Sequence, residues 1–179
     1  MSEELKLWLV KSLIIPYIDY CDTVFTNVSA SLQTRLDRIM NSCIRFVCCL
    51  RKFDHISVAK QNLDLLTGEL RRKTHFATLV YKIFRSRQPK YLYDKLMFSD
   101  HSYETRTKDN PAIPKHRTVC FESSFTYLAP KIWNELPESI RLSNSVELFQ
   151  RNVEKFYAAK LSMNWCLCVE GLSVRVSMW

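Results

Sequence analysis

Asp19 and Asp22 are the carboxylates best placed for chemistry in this chain of 179 residues. Three apart, they share one face of a helix, and paired carboxylates of that kind hold divalent cations for phosphoryl or nucleotidyl transfer. No third carboxylate accompanies them, so exposed or capping roles are the stronger expectation and no metal is assigned. His55, His75, His101 and His116 are scattered, without a His-x-x-x-His pair or a nucleophile context. His75, on a helix, reads as a boundary residue rather than a ligand, and His116 as part of a basic loop. Only Gly68 and Gly171 are glycine, too few for the backbone to close around a phosphate, which excludes the P-loop and dinucleotide-binding classes. The seven cysteines form no zinc-ligand ladder: Cys48 and Cys49 are adjacent, Cys166 and Cys168 are one residue apart, and Cys21, Cys43 and Cys120 stand alone. Their odd number, without a secretory signal, predicts free thiols in a reducing, intracellular compartment. Neither a cofactor nor an independent catalytic activity is expected.

Charge carries more information. The net charge is +8, and residues 68–117 hold 12 basic and 5 acidic residues, whereas the segments on either side are close to neutral. Concentrated positive charge is the footprint of contact with an RNA or DNA backbone. The candidates are Arg71, Arg72, Lys82, Arg85, Arg87, Lys90, Arg106, Lys108, Lys115 and Arg117. Convergence on one face would favour nucleic-acid binding, and dispersal would favour ordinary solvated surface.

The elements that must position these residues are helical. A hydrophobic fraction of 47% is that of a globular chain. The expected fold is all-α, with one short strand at 117–121 as the exception. Leu5, Trp8, Leu9, Leu13 and Ile14 predict an amphipathic helix that kinks or stops at Pro16. Lys6, Lys11 and Pro16 also interrupt this apolar stretch, so no membrane span is expected. Ser29 or Ser31 can cap a helix over 31–50, where Leu32, Leu36, Ile39, Cys43, Phe46 and Leu50 step by four, three, four, three, four. On another face Arg38, Arg45 and Lys52 recur every seven residues, read as solvated surface. A short helix follows at 56–63. Thr67 can cap a helix to about residue 87 with Leu70, Phe76, Leu79, Val80, Ile83 and Phe84 inward and Arg71, Arg72, Lys82 and Arg85 mostly outward. Pro89 ends it, and 90–97 adds a turn or two. Residues 99–119 lack a period and predict an extended basic loop. In 125–137, FTYLAPKIWNELP, Ser123 or Ser124 caps a short helix that Pro130 breaks. Phe125, Leu128, Ile132, Trp133 and Leu136 cluster around the indole, and Asn134 and Pro137 bracket a turn. Asn144 and Glu147 then form a capping box for a helix to about residue 161, and 162–179 reads as an appended tail.

Taken in order, LIIPYIDYCDTVF, LQTRLDRIMNSCIRFVCCL, ELRRKTHFATLVYKIFRSRQPKYLYDKL, the loop 106–117 and SSFTYLAPKIWNELPESIRLSNSVELFQRNVEKFYAAKL resemble one family. It is the C-terminal region of jockey-like non-LTR retrotransposon reverse transcriptases, downstream of the polymerase palm, and the likeness covers residues 7–161. The resemblance implies that residues 1–66 are thumb-like, gripping the template–primer duplex up to about residue 50. It implies that 67–161 form a basic post-thumb region on template RNA or target DNA, and that 162–179 are non-homologous. Arg106 and Arg117 carry over with a mixed role, and Trp133, Asn134, Leu136 and Pro137, with Phe125, as a structural knot. The palm aspartates, an apurinic-type endonuclease and a Cys/His knuckle are missing. The expectation is thus a truncated element copy that binds nucleic acid without catalysis and self-associates through surface left by the palm. A non-binding relic or a domesticated interaction domain is the alternative.

Overall fold

The Ser2 side chain accepts a hydrogen bond from the Leu5 N–H and starts α1 (Glu3–Leu9). The chain is described here by a computed structural model covering residues 1–24, 28–63, 66–96 and 110–173, with Gln61 and residues 161–173 given by their backbone alone. Pro16 does not stop the first helix. A π-helical turn, Val10–Ile14, precedes it and leads into α2 (Ile15–Asp19). The wider turn gives the ring room, and a residue near a helix start has no need of the N–H that proline lacks.

Ser29 caps α3 (Ala30–Val47) through the Leu32 N–H, and α4 (Ser57–Asn62) follows. Thr67 caps α5 (Gly68–Ser86), which ends on Arg87 in the left-handed conformation, φ 54°. After α6 (Lys90–Tyr93) come α7 (Val119–Glu122), α8 (Phe125–Glu135), α9 (Glu138–Arg141) and α10 (Val146–Ser173). The fold is all-α: the expected strand at 117–121 is instead the helical turn α7, and among the described residues there is no sheet.

Two apolar clusters form. The larger gathers Phe76, Val80, Tyr81 and Ile83 of α5, Ala129 and Ile132 of α8 with Leu136, and Phe149, Val153 and Tyr157 of α10. Phe76 meets Phe125 (ring centroids 5.9 Å apart) and Phe84 meets Trp133 (4.5 Å), so α8 runs parallel to α5. Tyr81 stacks on Phe149 at 4.2 Å, while Leu70, near the start of α5, shares a cleft with Tyr157, so α10 runs antiparallel. The smaller cluster joins Val10 and Ile15 to Cys43, Ile44 and Val47 of α3, with Ile56, Ala59 and Leu63 against it. Burial pushes the Cys43 thiol pKa up, as for a small apolar residue in a core.

Several local expectations are corrected. Pro130 does not break its helix. It lies inside α8 with its ring fully buried, and packing offsets the backbone bond that its nitrogen cannot make. Ser124 sits at the start of α8, but its hydroxyl caps nothing. Asn134 belongs to α8 and does not bond its own turn: its Nδ2 donates to the Pro111 carbonyl at 3.1 Å, bringing residue 111 onto the helix. The turn is made by Leu136 and Pro137, both extended. Ser145 replaces Asn144 as the cap of the last helix, through the Leu148 N–H at 3.2 Å. That helix continues to Ser173, past the expected end at 161, since no proline interrupts 161–173.

The buried faces differ as well. On the first helix Val10 and Ile15 are buried, and Leu5, Trp8, Leu13 and Ile14 face outward. On α3 the buried face is Met40, Cys43, Ile44 and Val47, whereas Leu32, Ile39 and Phe46 stay half-exposed.

Phe149→Ala should destabilise the protein by about 3–5 kcal/mol in a urea titration, because it empties the centre of the larger cluster. Tyr157 is the opposite case. Its hydroxyl is buried without a hydrogen-bond partner, and burial, then the Glu135 charge, pushes its pKa well up. The unfolded phenol ionises near pH ~10 while the buried one stays neutral, so stability is full below that pH and falls above it. Tyr157→Phe should raise stability by about 1 kcal/mol at pH 7 and flatten the alkaline loss.

Candidate nucleic-acid interface

Arg71, His75, Lys82 and Arg85 fall within about 40° of one line along α5, at 3.6 residues per turn. Phe76, Val80 and Phe84 lie on the far side, against α8. The line therefore faces away from the larger core, between the N-terminal helix and α10.

An ion pair and a hydrogen bond fix the N-terminal wall. Arg71 Nε donates to Asp19 Oδ1 at 3.1 Å, and its Nη2 donates to Oδ2, a bidentate pair. One turn on, His75 Nδ1 donates to Asp22 Oδ2 at 2.5 Å, since an ionised carboxylate only accepts. Asp22 is 6% exposed, in the turn after α2. Asp19, Asp22 and His75 offer ligand atoms within 4.8 Å of one another, the one such group of three among the described residues. The pair judged too small for a metal in sequence thus gains His75 as a third member. Its charge, however, is met by the Arg71 guanidinium, so the cluster acts as a clasp between the N-terminal segment and α5.

Beside this clasp opens a cleft of about 620 Å³ lined by Lys11, Arg71, His75, Arg151 and Lys155, among others. Glu154 is the one carboxylate on its lining, and it accepts from Gln150 at 3.1 Å. Among the described residues Lys11, Arg151 and Lys155 have no carboxylate partner. The cleft therefore carries positive charge that is not neutralised within the fold.

The ten cations proposed from sequence do not all converge. Arg71 lines the cleft, and Lys82 is exposed farther along the same face of α5. Arg85 lies on that face too, but its Nη1 donates to Tyr81 Oη at 2.9 Å and to the Ser143 carbonyl at 3.4 Å. Arg72 points elsewhere and donates to Gln33 of α3. Arg87 and Lys90 are exposed around the end of α5. Lys115 and Arg117 are exposed on the α8 side, where His116 packs edge-on against Tyr127 at 4.6 Å and bonds Glu122 at 2.8 Å. Arg106 and Lys108 lie outside the described residues. Of the knot residues, Trp133 and Phe125 pack on α5, Leu136 is fully buried, Asn134 holds residue 111, and Pro137 opens α9.

Sequence reasoning missed Lys11, Arg151 and Lys155. The spacing of Arg151 and Lys155, four apart, shows that they share a helix face, but only the antiparallel packing of α10 turns that face toward Arg71.

Fold and cleft together define an all-α protein with a cationic groove. No family model, curated protein or solved structure matches the chain. Among the described residues no helix is long and apolar enough to cross a membrane.

A double-mutant cycle on Asp19→Ala and Arg71→Ala should give a coupling of about 1.5 kcal/mol by urea titration. His75→Ala leaves the buried Asp22 carboxylate without its donor and should cost about 2 kcal/mol.

Proposed function

We propose that this chain is a non-catalytic nucleic-acid-binding unit, serving an RNA-directed DNA polymerase of the non-LTR retrotransposon kind as a thumb and post-thumb region. The observation that carries the binding is the meeting of Lys11, Arg151 and Lys155, without carboxylate partners, in one cleft with Arg71 and His75. Cations so placed replace the counterions condensed on a phosphate backbone, and their release supplies affinity without reading base sequence. The polymerase assignment rests on the segments that resemble that family, from LIIPYIDYCDTVF to WNELPESIR. Template RNA and target DNA both offer the required backbone.

A second reading, a non-binding relic or a protein-interaction domain, is favoured by one specific observation. Arg71, Arg72 and Arg85, which the charge pattern placed on nucleic acid, have partners within the fold.

A salt series with a short RNA hairpin and a DNA duplex separates the two. Binding should weaken linearly in log salt, and the Lys11→Ala/Arg151→Ala/Lys155→Ala variant should lose about 0.7–0.9 of slope for each phosphate contact removed. Arg106→Ala/Arg117→Ala tests the positions carried over from the resemblance. A folded protein that binds neither ligand at low salt, or a triple variant with unchanged affinity, would establish the second reading.

A further inference from the structure

Leu32, Ile39 and Phe46 form a ridge along α3, seven residues apart, and are 50%, 46% and 49% exposed. With Leu36 and Cys43 they make a run of apolar residues stepping by three and four, the seam by which one helix packs on another. Residues on one edge of that seam, Cys43 and its neighbours Met40, Ile44 and Val47, enter the core. The ridge itself borders a shallow groove of about 370 Å³ lined by Ile14, Arg38, Ile39, Ser42, Cys43 and Phe46, between the N-terminal helix and α3.

The charge around this groove has one sign. On the outer flank of the ridge α3 carries Ser31, Arg35, Arg38, Ser42 and Arg45, with no carboxylate among them. From the other wall Lys6 reaches over the Phe46 ring, 5.8 Å from its centroid. Asp37 is about 160° round the helix from Ile39 and is held by Gln33 at 3.0 Å. Glu3 is turned to the Cys48 thiol.

We infer that this groove is a docking site for an amphipathic helix with apolar residues at helical spacing and acidic residues along its flank. The ridge spans about 21 Å, which a partner helix of about four turns would cover. Charge complementarity selects the partner. A second copy of this chain would set Arg35 and Arg38 against identical cations, and like charges across an interface are costly. A phosphate backbone finds cations here but no use for three large apolar side chains. The inference is independent of the proposed nucleic-acid cleft, which lies on the other side of the N-terminal helix.

The probe is a fluorescently labelled synthetic helix of about 18 residues with Leu and Ile at the seam positions and Glu on the flanks, followed by anisotropy. Two companions carry Lys on the flanks, or Ser at the seam. The acidic peptide should bind the full chain at least ten-fold more tightly than either. Ile39→Glu/Phe46→Glu changes half-exposed side chains and should abolish binding with the helical circular dichroism kept. Arg35→Glu/Arg38→Glu should reverse the preference in favour of the Lys peptide, and this gain does not depend on the first variant folding. Arg151→Ala/Lys155→Ala should leave binding unchanged. Equal binding of the Ser peptide, a loss with Arg151→Ala/Lys155→Ala, no binding of the acidic peptide, or a dimer in sedimentation that Ile39→Glu dissociates would each overturn the proposal.

Discussion

The stack of Tyr81 on Phe149 is the contact on which the rest of the fold depends. Tyr81 is buried in the middle of α5, its hydroxyl donates to the Ser143 carbonyl just before α10, and Trp133 of α8 lies alongside, 6.5 Å away. One side chain thus fixes three helices and the entry to the last. Burying aromatic rings of this size contributes about 1.5–3 kcal/mol apiece and leaves little freedom in how the helices are set. With α8 on one face of α5 and α10 on another, the remaining face has to look outward. That face carries Arg71, His75, Lys82 and Arg85. The direction of the basic line is therefore a consequence of how the apolar residues of α5 are satisfied.

Much of this helix was legible in advance. Thr67 before a polar and apolar repeat marks a start, Pro89 marks a stop, and Phe76, Val80 and Ile83 are buried as their spacing predicts. On α3 the start was equally legible, but the end, at Val47 rather than 50, and the buried face were not. Its apolar residues cover a wide arc, and periodicity gives the arc without saying which part of it another element covers. Packing against the N-terminal helix selected Cys43, Ile44 and Val47 and left Ile39 and Phe46 half-exposed. The two prolines mark the other limit. Local propensity puts a break at Pro16 and Pro130. A π turn absorbs the first and burial holds the second in place, and neither compensation is written in the neighbouring residues.

The cleft was the least legible feature, because its cations come from three distant stretches. A net charge counted along the chain favours 68–117, yet charge that already has a partner adds little to binding. Arg71 is matched by Asp19, and Arg72 and Arg85 are held by Gln33 and by Tyr81 with the Ser143 carbonyl. What can act on a partner is charge left over after the fold has used its own, and within the cleft that remainder sits on Lys11, Arg151 and Lys155. Asp19 and Asp22 illustrate the same point from the acidic side. Their spacing suits a metal, but Asp19 meets the Arg71 guanidinium and Asp22 the His75 ring, and the fold uses them to hold the N-terminal segment against α5.

That segment is the shared wall of the two surfaces. Lys11 faces the cationic cleft and Ile14 lines the apolar groove, three residues apart and on different sides of the same turn. The turn is the π-helical one, Val10–Ile14, anchored by the buried Val10 at its start and by Ile15 just after its end. In a π turn each residue advances by less rotation than in an α-helix, so the widened turn sets the angle between Lys11 and Ile14. The proline that requires the widening thereby also sets the directions of the charge in one surface and of the apolar contact in the other. The clasp of Asp19 and Asp22 on α5 holds the far end of this short stretch. A constraint that is local in sequence thus orients two surfaces that share no lining residue.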